Sequence, residues 1–190
     1  MKETAYTRTA IFLHWLSALF VIYQLISGFW MVSAIKISHL RMIAWRVYQT
    51  HKSIGISLLL LWFVRVAWRT THPPPNHQHL LKKWEHYAAT TVHYTLYLLL
   101  IFTPLTGWLM TSTSPLKIPT LLFGWLYWPH IPWESQIITR QSLYLASKAL
   151  HQSAAWLIAG LITLHASAAL KHHFIDKSSI LTSILPRIRP

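Results

Sequence analysis

Residues 149–170 read ALHQSAAWLIAGLITLHASAAL, a stretch with no charged side chain and with a histidine near each end, His151 and His165. At about 1.5 Å and 100° per helical residue, the fourteen steps between them climb about 21 Å and return to within about 40° of the starting direction. Both imidazoles therefore share one face of a helix, one in each leaflet of a bilayer. Ligand-capable side chains inside an apolar span are costly to bury unpaired, so they mark a functional site by default. Two at this spacing point to two stacked cofactors.

Composition supports a membrane setting. Of 190 residues, 53% are hydrophobic and 11% charged, against roughly 25% charged in a typical soluble domain. Charge-free runs also cover Thr9–Ile35 and His86–Leu116, each longer than the ~20 residues a spanning helix needs. Only twelve uncharged residues separate Lys52 from Arg65, so a further span must start near Arg46 and end near Trp68, with its basic groups snorkelling to the interfaces. The expected spans are 9–35, 46–68, 88–112 and 145–170, in one domain over residues 1–190. A water-soluble bundle would show polar outer faces, whereas SLLLLWFV (57–64) and YTLYLLLIF (94–102) are apolar all round. The first span is too long, and lacks a prompt cleavage pattern, to be a removed signal peptide.

The fold expected is thus an all-α, four-transmembrane-helix bundle. An inner N-terminus puts ten of the seventeen lysines and arginines on the inner side, which leans toward both termini being cytoplasmic. The net charge of +13 is scattered among the spans, which suits anchoring to anionic lipid rather than nucleic-acid binding. With no cysteine, disulfides, thiolate-held iron–sulfur clusters and covalent haem attachment are excluded.

Prolines organise the connections. Thr70–His79 (TTHPPPNHQH) cannot be helical through its prolines and separates two helical pairs. Its His72, His77 and His79 offer a loose metal-binding composition. From Thr113 to Ser142, Pro115, Pro119, Pro129 and Pro132 alternate with Trp125, Tyr127, Trp128 and Trp133. Short segments on the outer interface are expected there, as anchors or as a lid over an outer cofactor.

Depth sorts the histidines. His14 and His165 lie toward the inner side, His51 and His151 toward the outer, and each pair can give one haem iron two axial imidazoles between facing helices. Gly28 and Gly107 follow His14 and His93 by fourteen residues each, and Gly55 follows His51 by one turn. Such glycines let a macrocycle approach the backbone or simply pack helices closely. His93, at the depth of His14, competes as a ligand, with a hydrogen bond to a haem propionate or a quinone as its preferred role. His172 extends the His151–His165 stripe inward, where with Lys171 it can exchange a proton with a quinone headgroup or hold a propionate. His39, His86, His130 and His173 fall in loops or at boundaries.

This arrangement resembles the bacterial cytochrome b561 family of dihaem membrane cytochromes. The pieces that carry the resemblance are LHWLSA (13–18), HKSIGI (51–56), Arg65 and Arg69, Pro73–Pro75, FGW (123–125) and LHASAALKHHFIDK (164–177), in order along the whole chain. It implies a bundle enclosing two non-covalent b-type haems on His14, His51, His151 and His165, a bacterial inner-membrane location, and a quinone near His172. The implied activity is electron transfer between an outer donor and the quinone pool, as in a superoxide oxidase that reduces ubiquinone to ubiquinol. Arg46, Lys52, Arg140 and Lys148 flank the outer histidines and would steer an anionic donor. The alternatives are a haem b subunit passing electrons between quinone and a partner oxidoreductase docked outside, as with hydrogenases and formate dehydrogenases, and a haem-free channel or transporter.

Overall fold

The structure is a computed structural model that describes residues 6–75, 80–132 and 137–186. Its elements in chain order are α1 (Arg8–Ala34), a short 3-10 turn (Ser38–Leu40), α2 (Arg41–Thr71), α3 (Lys83–Thr113), strands β1 (Thr120–Leu122) and β2 (Leu126–Trp128), α4 (Ile137–Phe174) and α5 (Ile180–Ile184). Helices α1 to α4 are each long and apolar enough to cross a membrane. The chain is a four-helix membrane bundle.

Local chemistry sets the helix ends. The Thr7 hydroxyl accepts from the Ala10 amide at 3.2 Å and caps α1, filling one of the donors a helix start leaves open. Helix α2 begins five residues before the expected span, because Arg41 and Arg46 are good helix formers wherever the chain stands outside hydrocarbon. It stops at Thr71, just before Pro73–Pro75. Within the helices, Ser17, Ser57, Ser147 and Thr163 return their hydroxyl protons to carbonyls one turn back. In lipid this is how a lone hydroxyl is satisfied.

Helices α1 and α2 pack as one antiparallel pair, α3 and α4 as another, and α2 joins them through α3. All four helices supply the buried core of Val21, Leu58, Leu99, Ala154 and Ile158. On α4 this core falls between His151 and His165, so it separates the two histidine depths. Leu19, Ile22, Leu60, Leu98 and Trp156 point outward, as side chains that face lipid should.

The connection between α3 and α4, expected on the outer side, holds a feature that helical periodicity does not reveal, an antiparallel hairpin pairing Thr120 with Trp128 and Leu122 with Leu126. Its three-residue turn needs left-handed backbone at Phe123 (φ 50°) and Gly124 (φ 83°), and glycine adopts this freely. Trp133, expected in this belt, lies outside the described residues.

The hairpin is bonded to the outer part of α2. Gln49 Nε2 and Lys52 Nζ donate to the Pro119 carbonyl at 3.2 and 3.4 Å. The fully buried Ser53 hydroxyl donates to Gln49 O at 2.8 Å and accepts the Phe123 amide at 2.9 Å. Ser53→Ala leaves that amide without its partner, at a cost of about 1–3 kcal/mol. Hydrogen–deuterium exchange should speed up over residues 120–128 and stay unchanged in the middle of α3; unchanged exchange in the hairpin would show that Ser53 does not hold it.

Candidate functional site

Two layers of imidazoles stand between the helices. In the outer layer, His51 of α2 faces His151 of α4 with ring centres 6.3 Å apart. In the inner layer, His14 of α1 faces His165 of α4 at 6.4 Å. An imidazole nitrogen binds a transition metal at about 2 Å, so two in-line bonds, plus about 1.1 Å from each nitrogen to its ring centre, require ring centres about 6 Å apart. Both layers meet that spacing. His93 of α3 lies against His165 at 5.1 Å, with planes 70° apart, too close to His165 for an in-line pair but well placed to pack beside it.

The ring nitrogens of the outer layer are set for ligation. His151 Nδ1 lies 2.9 Å from the Thr103 carbonyl, which can only accept, so Nδ1 carries the proton and Nε2 the free lone pair. Thr106 also donates to that carbonyl, at 2.8 Å. His51 Nδ1 lies 2.9 Å from Ser27 Oγ, whose own proton goes to Gln24 O at 3.3 Å. With the Ser27 proton on Gln24 O, His51 takes the same tautomer. A hydrogen bond on the far nitrogen fixes ring orientation and makes the near nitrogen a better donor to metal.

The inner layer differs at one residue. Arg65 Nη2 lies 3.1 Å from His14 Nδ1, and a guanidinium can only donate. His14 therefore keeps its proton on Nε2 in this arrangement, and metal binding through Nε2 requires Arg65 to turn away or that proton to leave. Arg65 and Arg69 also lie over the Tyr97 ring, at 5.2 and 5.3 Å from its centre.

The glycines make room at the outer layer. A Cβ on Gly28 would stand 3.1 Å from His51 Cε1, and one on Gly107 3.0 Å from His151 Cε1 and 3.2 Å from its Nδ1. The space that the sequence assigns to a macrocycle is thus taken at both positions by an imidazole. At Gly55 the near neighbour is Gln24 Nε2, at 3.0 Å. Two buried oxygens beside this layer, Gln24 Oε1 and Thr103 Oγ1, have no hydrogen-bond partner among the described residues. Paired imidazoles with preset tautomers, glycine clearances and unspent polar atoms fit a planar metallocofactor.

At the inner end, His172 is buried with Nδ1 2.6 Å from Asp176 Oδ2. Lys171 Nζ reaches the same Oδ2 at 2.7 Å and Glu85 Oε1 at 2.6 Å. Neither carboxylate was singled out from sequence. Asp176 was within reach of that reading, four residues beyond His172; Glu85 was not, since it arrives from α3.

On the outer side, Ser112, Lys117, His130, Ile131 and Arg140 line a cavity of about 230 Å³. Burial, then Lys52 and Arg140, push the His130 imidazole below its usual range, so it is neutral at physiological pH. Its Nε2 is buried without a partner among the described residues. Of the four cations expected here, Arg140 lines the cavity and Lys52 acts on His130. Lys117 joins them, while Arg46 and Lys148 are not among the lining residues. In the loop between α2 and α3, His72 stacks on Trp68 at 3.9 Å, and His77 and His79 lie outside the described residues.

Gly107→Ala should displace the His151 ring, and Gly28→Ala the His51 ring by less. Gly160→Ala, with open space around it, is the control. Haem content by the pyridine haemochromogen assay should fall in the order Gly160→Ala, Gly28→Ala, Gly107→Ala; equal retention in all three would show that the clearances do not matter.

The family model described as prokaryotic cytochrome b561 matches residues 5–187. The chain is 36% identical over 172 residues to cytochrome b561 homolog 2 of Escherichia coli K12, covering 90% of this chain and 86% of that protein. It is 26% identical over 193 aligned positions to cytochrome b561 homolog 1 of the same organism, covering 96% and 97%. With its paired imidazoles in a four-helix membrane bundle, the chain belongs to the prokaryotic cytochrome b561 family of membrane proteins that bind b-type haem and transfer electrons.

Proposed function

We propose that the chain holds two b-type haems, on His51 with His151 and on His14 with His165, and carries electrons from an anionic one-electron donor outside to a quinone at the inner side. The observation that carries this reading is the pair of imidazole layers, each with the ring spacing of an axial pair. When bound, such a haem takes and gives single electrons while two imidazoles keep oxygen off the iron. Thr103 and Ser27 hold the outer rings, Gly28 and Gly107 give them room, and Gly55 clears Gln24. His93 supports His165 from the side.

Superoxide is the donor that the outer cavity suits best, because Lys117 and Arg140 line it, Lys52 lies nearby and the space is small. The balanced reaction takes two superoxide anions, one quinone and two protons to two dioxygen molecules and one quinol. The quinone head group belongs at the inner end, beside His172 and Lys171, with ubiquinone the expected substrate. The positive-inside lean supports a bacterial inner-membrane protein with both termini in the cytoplasm.

His151→Ala and His165→Ala should each remove a different one of two haems per chain, while His93→Ala keeps both. A single haem in the unaltered protein would overturn the paired assignment. Lys117→Glu should slow haem reduction by superoxide about tenfold and flatten its dependence on ionic strength, measured by stopped flow on the purified protein. No reduction by superoxide in the unaltered protein, together with reduction by an added hydrogenase-type oxidoreductase, would favour a haem subunit with a docked partner.

A further inference from the structure

The chain has only four carboxylate side chains against seventeen lysines and arginines. The two within the described residues, Glu85 and Asp176, both bond Lys171, next to His172. They arrive by different routes. Glu85 sits in the first turn of α3, is buried, and is fixed by accepting the Lys82 amide at 3.0 Å. Asp176 is carried back toward the end of α4 by a tight turn. In that turn the Ile175 and Asp176 amides donate to Lys171 O, and the Ser178 amide donates to His172 O at 2.9 Å. Lys177 takes the left-handed backbone that closes it (φ 50°). The result is one hydrogen-bonded chain from the Lys82 amide through Glu85, Lys171 and Asp176 to His172 Nδ1.

Asp176 Oδ2 accepts from two groups at once, Lys171 Nζ and His172 Nδ1. Lys171 first, then His172, holds the Asp176 carboxyl below the usual carboxylate range, so it is ionised at neutral pH and can only accept. His172 therefore keeps a proton on Nδ1, and proton exchange falls to Nε2. With a second proton on Nε2 the four side chains sum to zero charge; without it they carry one negative charge. A clamp that only tied α3 to α4 would need Glu85 and Lys171 alone. Asp176 and its turn add a bond to the imidazole beside the one to Lys171.

We propose that Asp176 is a positioning residue that orients His172 as the proton donor to the nearer carbonyl oxygen of the bound quinone, with Lys171 and Glu85 holding Asp176 in place. This rests on the quinone site proposed above. Reduction of a quinone takes two electrons from the outer donor and two protons, one for each carbonyl oxygen. His172 gives the proton on Nε2 to the nearer oxygen, its N–H bond breaking as the O–H bond forms, and regains a proton from water at the inner side. The far oxygen takes its proton from water. The charged groups that act on His172 are Asp176 and Lys171 at its own end of α4 and Glu85 from α3.

The test uses haem-loaded protein in liposomes, a short-chain ubiquinone and a chemical outer donor. Asp176→Asn should lower kcat for quinol formation about 10- to 100-fold, with KM within about twofold and the haem spectrum unchanged, and should raise the solvent deuterium isotope effect on kcat. Asp176→Glu should recover most of the rate. Glu85→Gln should lower thermal stability while costing less in kcat than Asp176→Asn. Unaltered kcat and isotope effect in folded, haem-loaded Asp176→Asn would overturn the relay, even if His172→Ala abolishes quinone reduction and so upholds the quinone site. If His172→Ala leaves quinone binding and turnover intact, the site itself is misplaced and the relay falls with it.

Discussion

Hydrocarbon offers no hydrogen bonds, so a polar group inside this bundle has to find its partner within the protein. For a serine or threonine, the carbonyl one turn back is enough. An imidazole is harder to place, because its neutral ring has one donor and one acceptor nitrogen on nearly opposite sides. At His151 and His51 the donor is consumed by Thr103 O and Ser27 Oγ. The acceptor nitrogen of each ring is left over, and a metal can use it. The rest of the bundle follows from keeping those rings in place: glycines where a Cβ would strike the rings, and an apolar core from all four helices separating the layers.

The two layers are not equivalent. The outer rings are held by a hydroxyl and a carbonyl that need not move when a metal arrives. At the inner layer a guanidinium occupies His14 Nδ1, and His93 crowds His165. Arg65 carries a permanent charge, so its distance from His14 alters the local potential as well as the tautomer. The two depths therefore offer different electrostatic surroundings.

Much of this was readable in the chain. Charge-free runs give three spans, a fourth follows once its basic groups snorkel to the interfaces, and a fourteen-residue offset on one helix gives two depths, because rise and turn per residue are fixed. Depth and antiparallel order offer the two pairs, with His93 as a competitor at the inner depth, and the structure sets the ring centres of those pairs 6.3 and 6.4 Å apart. The hydrogen-bond partners were not readable. Which residues of a neighbour face His151 depends on how α3 is rotated about its axis, and spacing along α4 says nothing of that. The hairpin escaped for another reason: prolines mark where helix stops but do not say that Thr120 will pair with Trp128. The early start of α2 shows the limit of hydropathy, which marks the part of a helix in lipid and not the whole helix.

The two ends of the bundle are fastened by different forces. Outside, the hairpin rests on hydrogen bonds to Gln49, Lys52 and Ser53, residues that flank His51 in sequence, so a movement of the hairpin would reach the outer ring through its own helix. Inside, α3 and α4 are tied by charges, with Lys171 between Glu85 and Asp176, and α5 is tied to α1 by the Trp15 indole donating to Ile184 O at 2.9 Å. The neutral hydrogen bonds of Gln49 and Ser53 are little affected by salt, whereas a half-exposed lysine between carboxylates is screened by it. Ionic strength should therefore loosen the inner fastening before the outer one. The hairpin end of the bundle is thus held more firmly than the end where Lys171 sits.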